Sequence, residues 1–234
     1  MRYGKVISII CIALIPVVIV AGFFTKWERQ YYYTAAAVLL LSLIPFLISL
    51  ERRRLKAREL VTLASLTAIA VASRAAFYAV PQVKPMCALL IIIAVSIGPQ
   101  FGFTVGALAA LVSNFIFGQG AWTPFQMFAA GLTAAICAVC FYGKRRNGRI
   151  LPVAIVGGLV TFAVYGFIVD TCAVLMMAES FTLSGMLSVY ASGIPFNLIY
   201  GGTSFLIILL LGSVMRDTIE RVIIKYDLFG GAGI

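Results

Sequence analysis

Apolar positions in this chain neither alternate nor recur at helical spacing within a polar background; they run on. Stretches of about 20 hydrophobic residues, the length an α-helix needs to cross the hydrocarbon core, follow one another with only short polar joints between them. The pattern predicts spans at 5–25, 32–50, 60–80, 86–98, 101–118, 124–143, 150–178 and 186–214. The fourth is short, and Gly98-Pro99-Gln100-Phe101-Gly102 behind it is a turn signal, so 86–118 reads either as two spans or as one bent element. Parity favours two. The basic joints at 51–59 and 144–149 share one side of a membrane only if an even number of crossings separates them, and the four spans from 60 to 143 satisfy this. The expected fold class is therefore an all-α integral membrane protein of about eight spans.

Composition removes the soluble alternatives. Of 234 residues 62% are hydrophobic and 11% charged, against about 25% charged in an ordinary soluble domain, and mean hydropathy is +1.07. The first apolar run, 6–24, follows Arg2 and Lys5 as a signal peptide would, but it lacks a small-x-small cleavage site and is long for that role, so a retained span is expected. The net charge of +10 does not point to nucleic acid, because the bases sit in alternate joints rather than on one face. Arg52, Arg53, Arg54, Lys56 and Arg58 fill one joint, Lys144, Arg145, Arg146 and Arg149 another, and Arg216, Arg221 and Lys225 the tail. The joints between them are poor in base. By the positive-inside rule the rich joints, and with them both termini, are expected in the cytoplasm of a multi-pass plasma-membrane protein.

The two leading spans are plain Ile, Leu, Val and Ala, whereas the six that follow carry glycine and polar groups. This divides the chain into an N-terminal transmembrane hairpin (1–50), a basic cytoplasmic joint (51–59), a six-helix working unit (60–225) and a C-terminal tail (226–234). Ionisable and amide side chains inside a span are costly, so each is a candidate functional residue. Arg74, Asn114, Gln126, Asp170 and Asn197 qualify, with Lys84, Gln119 and Glu179 at the edges. Judged by depth, most fall in the outer half of the membrane although they come from five helices, which is what an outward-facing pocket needs. Phe77, Tyr78, Trp122, Phe125, Phe128, Tyr165 and Tyr200 lie near the same level, where an interfacial aromatic belt would also place them. The alternative is structural: an Arg74–Asp170 ion pair and interhelical hydrogen bonds from Asn114 and Asn197, each worth roughly 1 kcal/mol. Ala64, Ala68, Ala72 and Ala76 form a smooth stripe on which another helix can approach closely.

Enzymatic constellations are missing from the sequence. There is no histidine, no G-x-x-x-x-G-K loop and no pair of carboxylates, so neither catalysis nor a cofactor of its own is expected. Cys137 and Cys140 form a C-A-V-C pair, which on an apolar helix without imidazole reads as small buried hydrophobes rather than a metal site.

The run Asn114-Phe115-Ile116-Phe117-Gly118-Gln119-Gly120-Ala121-Trp122-Thr123-Pro124-Phe125-Gln126-Met127, together with the alanine stripe and the six spans of 60–225, resembles the substrate-binding S components of energy-coupling factor (ECF) vitamin transporters, most closely those assigned to cobalamin. The resemblance implies high-affinity capture of a vitamin, probed first as cobalamin or a related corrinoid, at the external face. Delivery would follow by toppling in the lipid bilayer on a transmembrane coupling protein of the EcfT type, driven by ATP hydrolysed in two cytoplasmic ATPases. It also implies that Ala64, Ala68 and Ala72 dock on the coupling protein and that the turns at 81–85, 118–124 and 179–186 gate a site built from Arg74, Phe77, Tyr78, Asn114, Gln119, Trp122, Gln126, Tyr165, Asp170, Asn197 and Tyr200. The leading hairpin departs from the six-helix pattern. The competing expectation is a stand-alone secondary carrier coupled through Asp170; a scaffold without a ligand is a third.

Overall fold

The structure, a computed structural model, describes residues 56–81, 83–143, 150–177 and 183–230, and in the leading segment residues 10, 11, 13–21, 33–38, 40, 41 and 44. Most of the expected hairpin, the basic joints at 51–55 and 144–149, the turn at 178–182 with Glu179, and residues 231–234 lie outside the described residues. Among the described residues every regular element is helical. Five helices are long and apolar enough to cross a membrane, and a sixth is apolar but shorter.

Helix α1 spans Ala57–Ala76. Its first turn is closed by Glu59, whose carboxylate accepts the Lys56 N–H at 2.9 Å. Leu63, Leu66, Thr67, Ala70 and Val71 face inward, whereas Ala64, Ala68, Ala72 and Ala76 are exposed. Helix α2, Met86–Ile97, is buried at every position and forms the centre of the bundle. Its 12 residues make only about 18 Å of helix, short of the roughly 30 Å hydrocarbon core. It is a sheltered core element. At Gly98 the backbone takes φ +99°, a conformation open to glycine, and Pro99 starts α3, Pro99–Phe117. The chain turns back there, bringing Gly102 against Ala94, so 86–117 forms two helices rather than one bent element.

Helix α4, Trp122–Phe141, packs closely on α3, with the Gly106 backbone against Ala130 and Gly131. The next crossing is one bent helix. It runs as α5, Ile150–Val160, widens into a single π-helical turn at Thr161–Tyr165 and continues as α6, Gly166–Met177. Such turns re-aim the side chains that follow, and here Tyr165 and Asp170 are the residues affected.

The last helix, α7, spans Leu183–Lys225 with Pro195 inside it. At 43 residues it is about 65 Å long, so it outruns the expected 186–214 and leaves the membrane as a continuous rod. After Gly212 the sequence has no breaker until Gly230, and an Arg216–Glu220 pair one turn apart, 2.8 Å between Nε and Oε1, carries the helix across the polar boundary. Leu228–Gly230 then folds back: the Phe229 ring lies 4.7 Å from that of Phe101, and its N–H donates to Glu59 at 2.6 Å. In the leading segment the described positions are helical, and Ile15, Ile19, Ala35 and Val38 are buried as part of the apolar core. Val17 and Val20 point outward, so this segment presents one face to the core and one to lipid.

Candidate functional site

The short connection between α3 and α4 sets the ends of these helices beside the end of α1. Arg74 stands in the last turn of α1, Asn114 in the last turn of α3 and Gln126 early in α4. The Arg74 guanidinium donates from Nη1 to Ser113 Oγ and, at 2.9 Å, to Asn114 Oδ1. Asn114 is 1% exposed; its amide nitrogen donates to Gln126 Oε1 at 2.9 Å and to Thr123 Oγ1 at 3.1 Å. Thr123 donates onward to Gln119 Oε1 at 2.9 Å, and Gln119 Nε2 donates to the Leu111 carbonyl at 3.2 Å. Both the carbonyl and the amide of Asn114 are thus engaged, and the network fixes the pose of Arg74 and Gln126 at low dielectric. The guanidinium also lies 4.8 Å from the centroid of Phe117, which stacks on Tyr78 at 5.2 Å.

A second polar wall comes from α6 and α7. Asn197 Nδ2 donates to Asp170 Oδ2 at 2.7 Å. The carboxylate fits there because position 193 has no side chain: a Cβ on Gly193 would stand 2.7 Å from Asp170 Cγ. Nearby, the Thr171 and Tyr190 hydroxyls are 2.8 Å apart and the rings of Phe167 and Tyr190 stack at 5.3 Å, binding α6 to α7.

Between the two walls lies a cavity of about 220 Å³. Arg74 lines it from α1, Lys84 from the connection to α2, Gln126 from α4 and Tyr165 from the π turn. Val169 and Asp170 contribute from α6, and Gly193, Phe196, Asn197 and Tyr200 from α7. Tyr165 and Tyr200 pack with centroids 5.0 Å apart, and the Cys87 thiol donates to the Tyr200 hydroxyl at 3.3 Å. Arg74 and Asp170 share the cavity without pairing: among the described residues Arg74 bonds to neutral Ser113 and Asn114, and Asp170 to Asn197. Burial, and secondarily the positive charge of Arg74, hold the Lys84 ammonium below its ordinary pKa.

Six of the eleven residues expected at the site, namely Arg74, Gln126, Tyr165, Asp170, Asn197 and Tyr200, line this cavity. Asn114 stands behind it, holding Arg74 and Gln126, and Gln119 stands one bond further back, on Thr123. Phe77, Tyr78 and Trp122 do not line it: Tyr78 is 75% exposed, and the Trp122 ring lies over Gly120. An interfacial belt would place aromatics there for reasons unrelated to a ligand. Lys84, seen in sequence only as an edge residue, is part of the wall, and Val169, Gly193 and Phe196 were not singled out. The sequence signal that could have found them is Gly193-Ile194-Pro195 ahead of Asn197, a small residue and a helix breaker within an apolar span.

Neither the curated proteins nor the solved structures offer a match to this chain. Residues 54–217 match the family described as "ECF-type riboflavin transporter, S component". The match takes in α1 to α6 and α7 as far as Asp217, and leaves the leading segment outside it. It supports the ECF S-component likeness and does not extend to a cobalamin type. The chain is a multi-pass membrane protein of transport rather than of catalysis, and it belongs to the family of ECF-type riboflavin transporter S components.

Proposed function

We propose that the chain captures riboflavin, or a flat vitamin of similar size, in the cavity between α1, α4, α6 and α7 and delivers it as the S component of an ECF importer. The observation that carries this reading is the cavity itself, where aromatic rings and amide, carboxylate and cationic side chains from separate helices meet at one end of the bundle. Its volume of about 220 Å³ lies below the roughly 300–1,000 Å³ of common ligand pockets. A planar heteroaromatic vitamin suits such a space beside Tyr165, Phe196 and Tyr200; a corrinoid, with its macrocycle and amide arms, does not. The test is the spectrum of detergent-purified protein. A yellow preparation that releases a fluorescent flavin on denaturation supports the proposal, and a red chromophore would restore cobalamin.

The same reading gives α1 its outward face. Ala64, Ala68 and Ala72 are exposed along a helix whose other side is packed, which supports docking on a transmembrane coupling protein that is driven in turn by two ATPases. The protein itself then needs no cofactor, and ATP is used by its partners. Asp170 in the cavity wall keeps a second reading in play, a secondary carrier coupled through that carboxylate. Accumulation driven by an ion gradient in vesicles holding this chain alone would favour the carrier.

A further inference from the structure

The charges around the cavity are unevenly matched. Lys84 and Arg74 both line it, and among the described residues neither is within ion-pair distance of a carboxylate. The hydrogen bonds of Arg74 use Nη1 alone and end on neutral oxygens, so most of its five N–H donors remain for another acceptor. Lys84 makes no hydrogen bond among the described residues, and burial and the nearby charge of Arg74 disfavour its own charge. Asp170, the one carboxylate among the described residues that line the cavity, is held by Asn197 in the α6–α7 wall.

Among the described residues neither cation has an ion-pair partner, and two cations at a partly buried site repel one another and lose hydration, a cost an anion placed between them offsets. Arg74 is held rigidly by Ser113, Asn114 and the Phe117 ring. Its guanidinium is therefore already oriented. Lys84 rides on the short connection between α1 and α2 and brings a second charge to the same space.

We infer that the ligand of this cavity carries an anionic group, a carboxylate or a phosphate ester, which seats between Lys84 and Arg74 while a hydrogen-bond donor on the same molecule meets the Asp170 carboxylate. This rests on the proposed flavin reading and sharpens it: among flavins the cavity is selective for the phosphorylated form over the neutral one.

The experiment is a pair of fluorescence titrations of the purified full chain, with riboflavin and with riboflavin 5′-phosphate. Charge-assisted hydrogen bonds to two cations give the phosphate ester an expected advantage of about 10-fold or more in Kd. In Lys84→Gln the ratio of the two Kd values falls towards one, and in Lys84→Arg, which keeps the charge, it is retained. Riboflavin binding as tightly as its phosphate in the unaltered protein overturns the inference and leaves the flavin reading standing. A preference that persists unchanged in Lys84→Gln removes Lys84 from the anion site and overturns it as well. Binding of neither flavin defeats both readings together.

Discussion

At the scale of the residue, the cavity depends on side chains that touch no ligand as much as on those that line it. Gly193 is the sharpest case. A methyl group there meets the Asp170 carboxylate, whose place is also fixed by Asn197, so Gly193→Ala is expected to displace Asp170 and weaken ligand binding about 10-fold or more, by loss of a charge-assisted contact. Gly202→Ala on the same helix is the control, since a Cβ at 202 meets nothing within 4 Å. Equal affinity of the two variants by equilibrium titration removes Asp170 from the site. Asn114 and Gln126 separate positioning from contact. Asn114→Ala leaves Arg74 and Gln126 without their shared partner, at a cost of about 1–3 kcal/mol for the orphaned groups, and lowers the melting temperature and the affinity together. Gln126→Ala, which exposes no comparable orphan, lowers affinity with a smaller change in melting. A thermal-shift measurement paired with a ligand titration distinguishes them, and an Asn114→Ala protein of unaltered stability contradicts the network. The intramembrane polar residues were legible one by one in the sequence, because each is expensive in lipid. Their division into wall and support was not, since depth along a helix says nothing about which way a side chain turns.

At the scale of the element, the positions of five helices were readable within a few residues because uninterrupted hydrophobicity over a membrane thickness has one structural meaning. Three features were not. Helix α2 is as apolar as its neighbours yet buried on all sides, and hydropathy does not distinguish a lipid-facing surface from a protein core. The π turn at Thr161–Tyr165 leaves no compositional mark, since it arises from packing around the bend. Helix α7 continues past the membrane because Arg216–Glu220 and good helix formers follow the apolar run, and a hydropathy boundary does not stop a helix. The alanine stripe of α1 is an element-scale feature with its own expectation. Its residues face outward while Leu63, Leu66 and Ala70 hold the helix in place, so Ala68→Phe leaves the fold and the cavity intact. Ligand titration is expected to be unchanged and uptake in cells carrying the coupling protein and ATPases to fall to background. Normal uptake by this variant eliminates the stripe as the docking face.

At the scale of the whole molecule, charge and geometry divide the bundle into two unlike ends. One end gathers Lys56, Arg58, Arg221 and Lys225 around the clasp in which Glu59 accepts the Phe229 N–H and Lys56 meets Asp227 at 3.7 Å. The other end holds the cavity, with Arg74 and Lys84 turned into it. The positive-inside rule predicts that the first end faces the cytoplasm, and the cavity then opens outward, as capture requires. The protein suits a direct measurement, because Cys11, Cys87, Cys137 and Cys172 are buried and Cys140 is half-buried, which keeps background labelling low. Asp227→Cys and Tyr78→Cys place a thiol at exposed positions of the two ends. In intact cells an impermeant maleimide is expected to label Tyr78→Cys, and to label Asp227→Cys only after the membrane is opened. The reverse pattern would put the cavity on the inside. A receptor for an external vitamin would then be physically impossible, however well the residues around Asp170 and Arg74 were arranged to hold one.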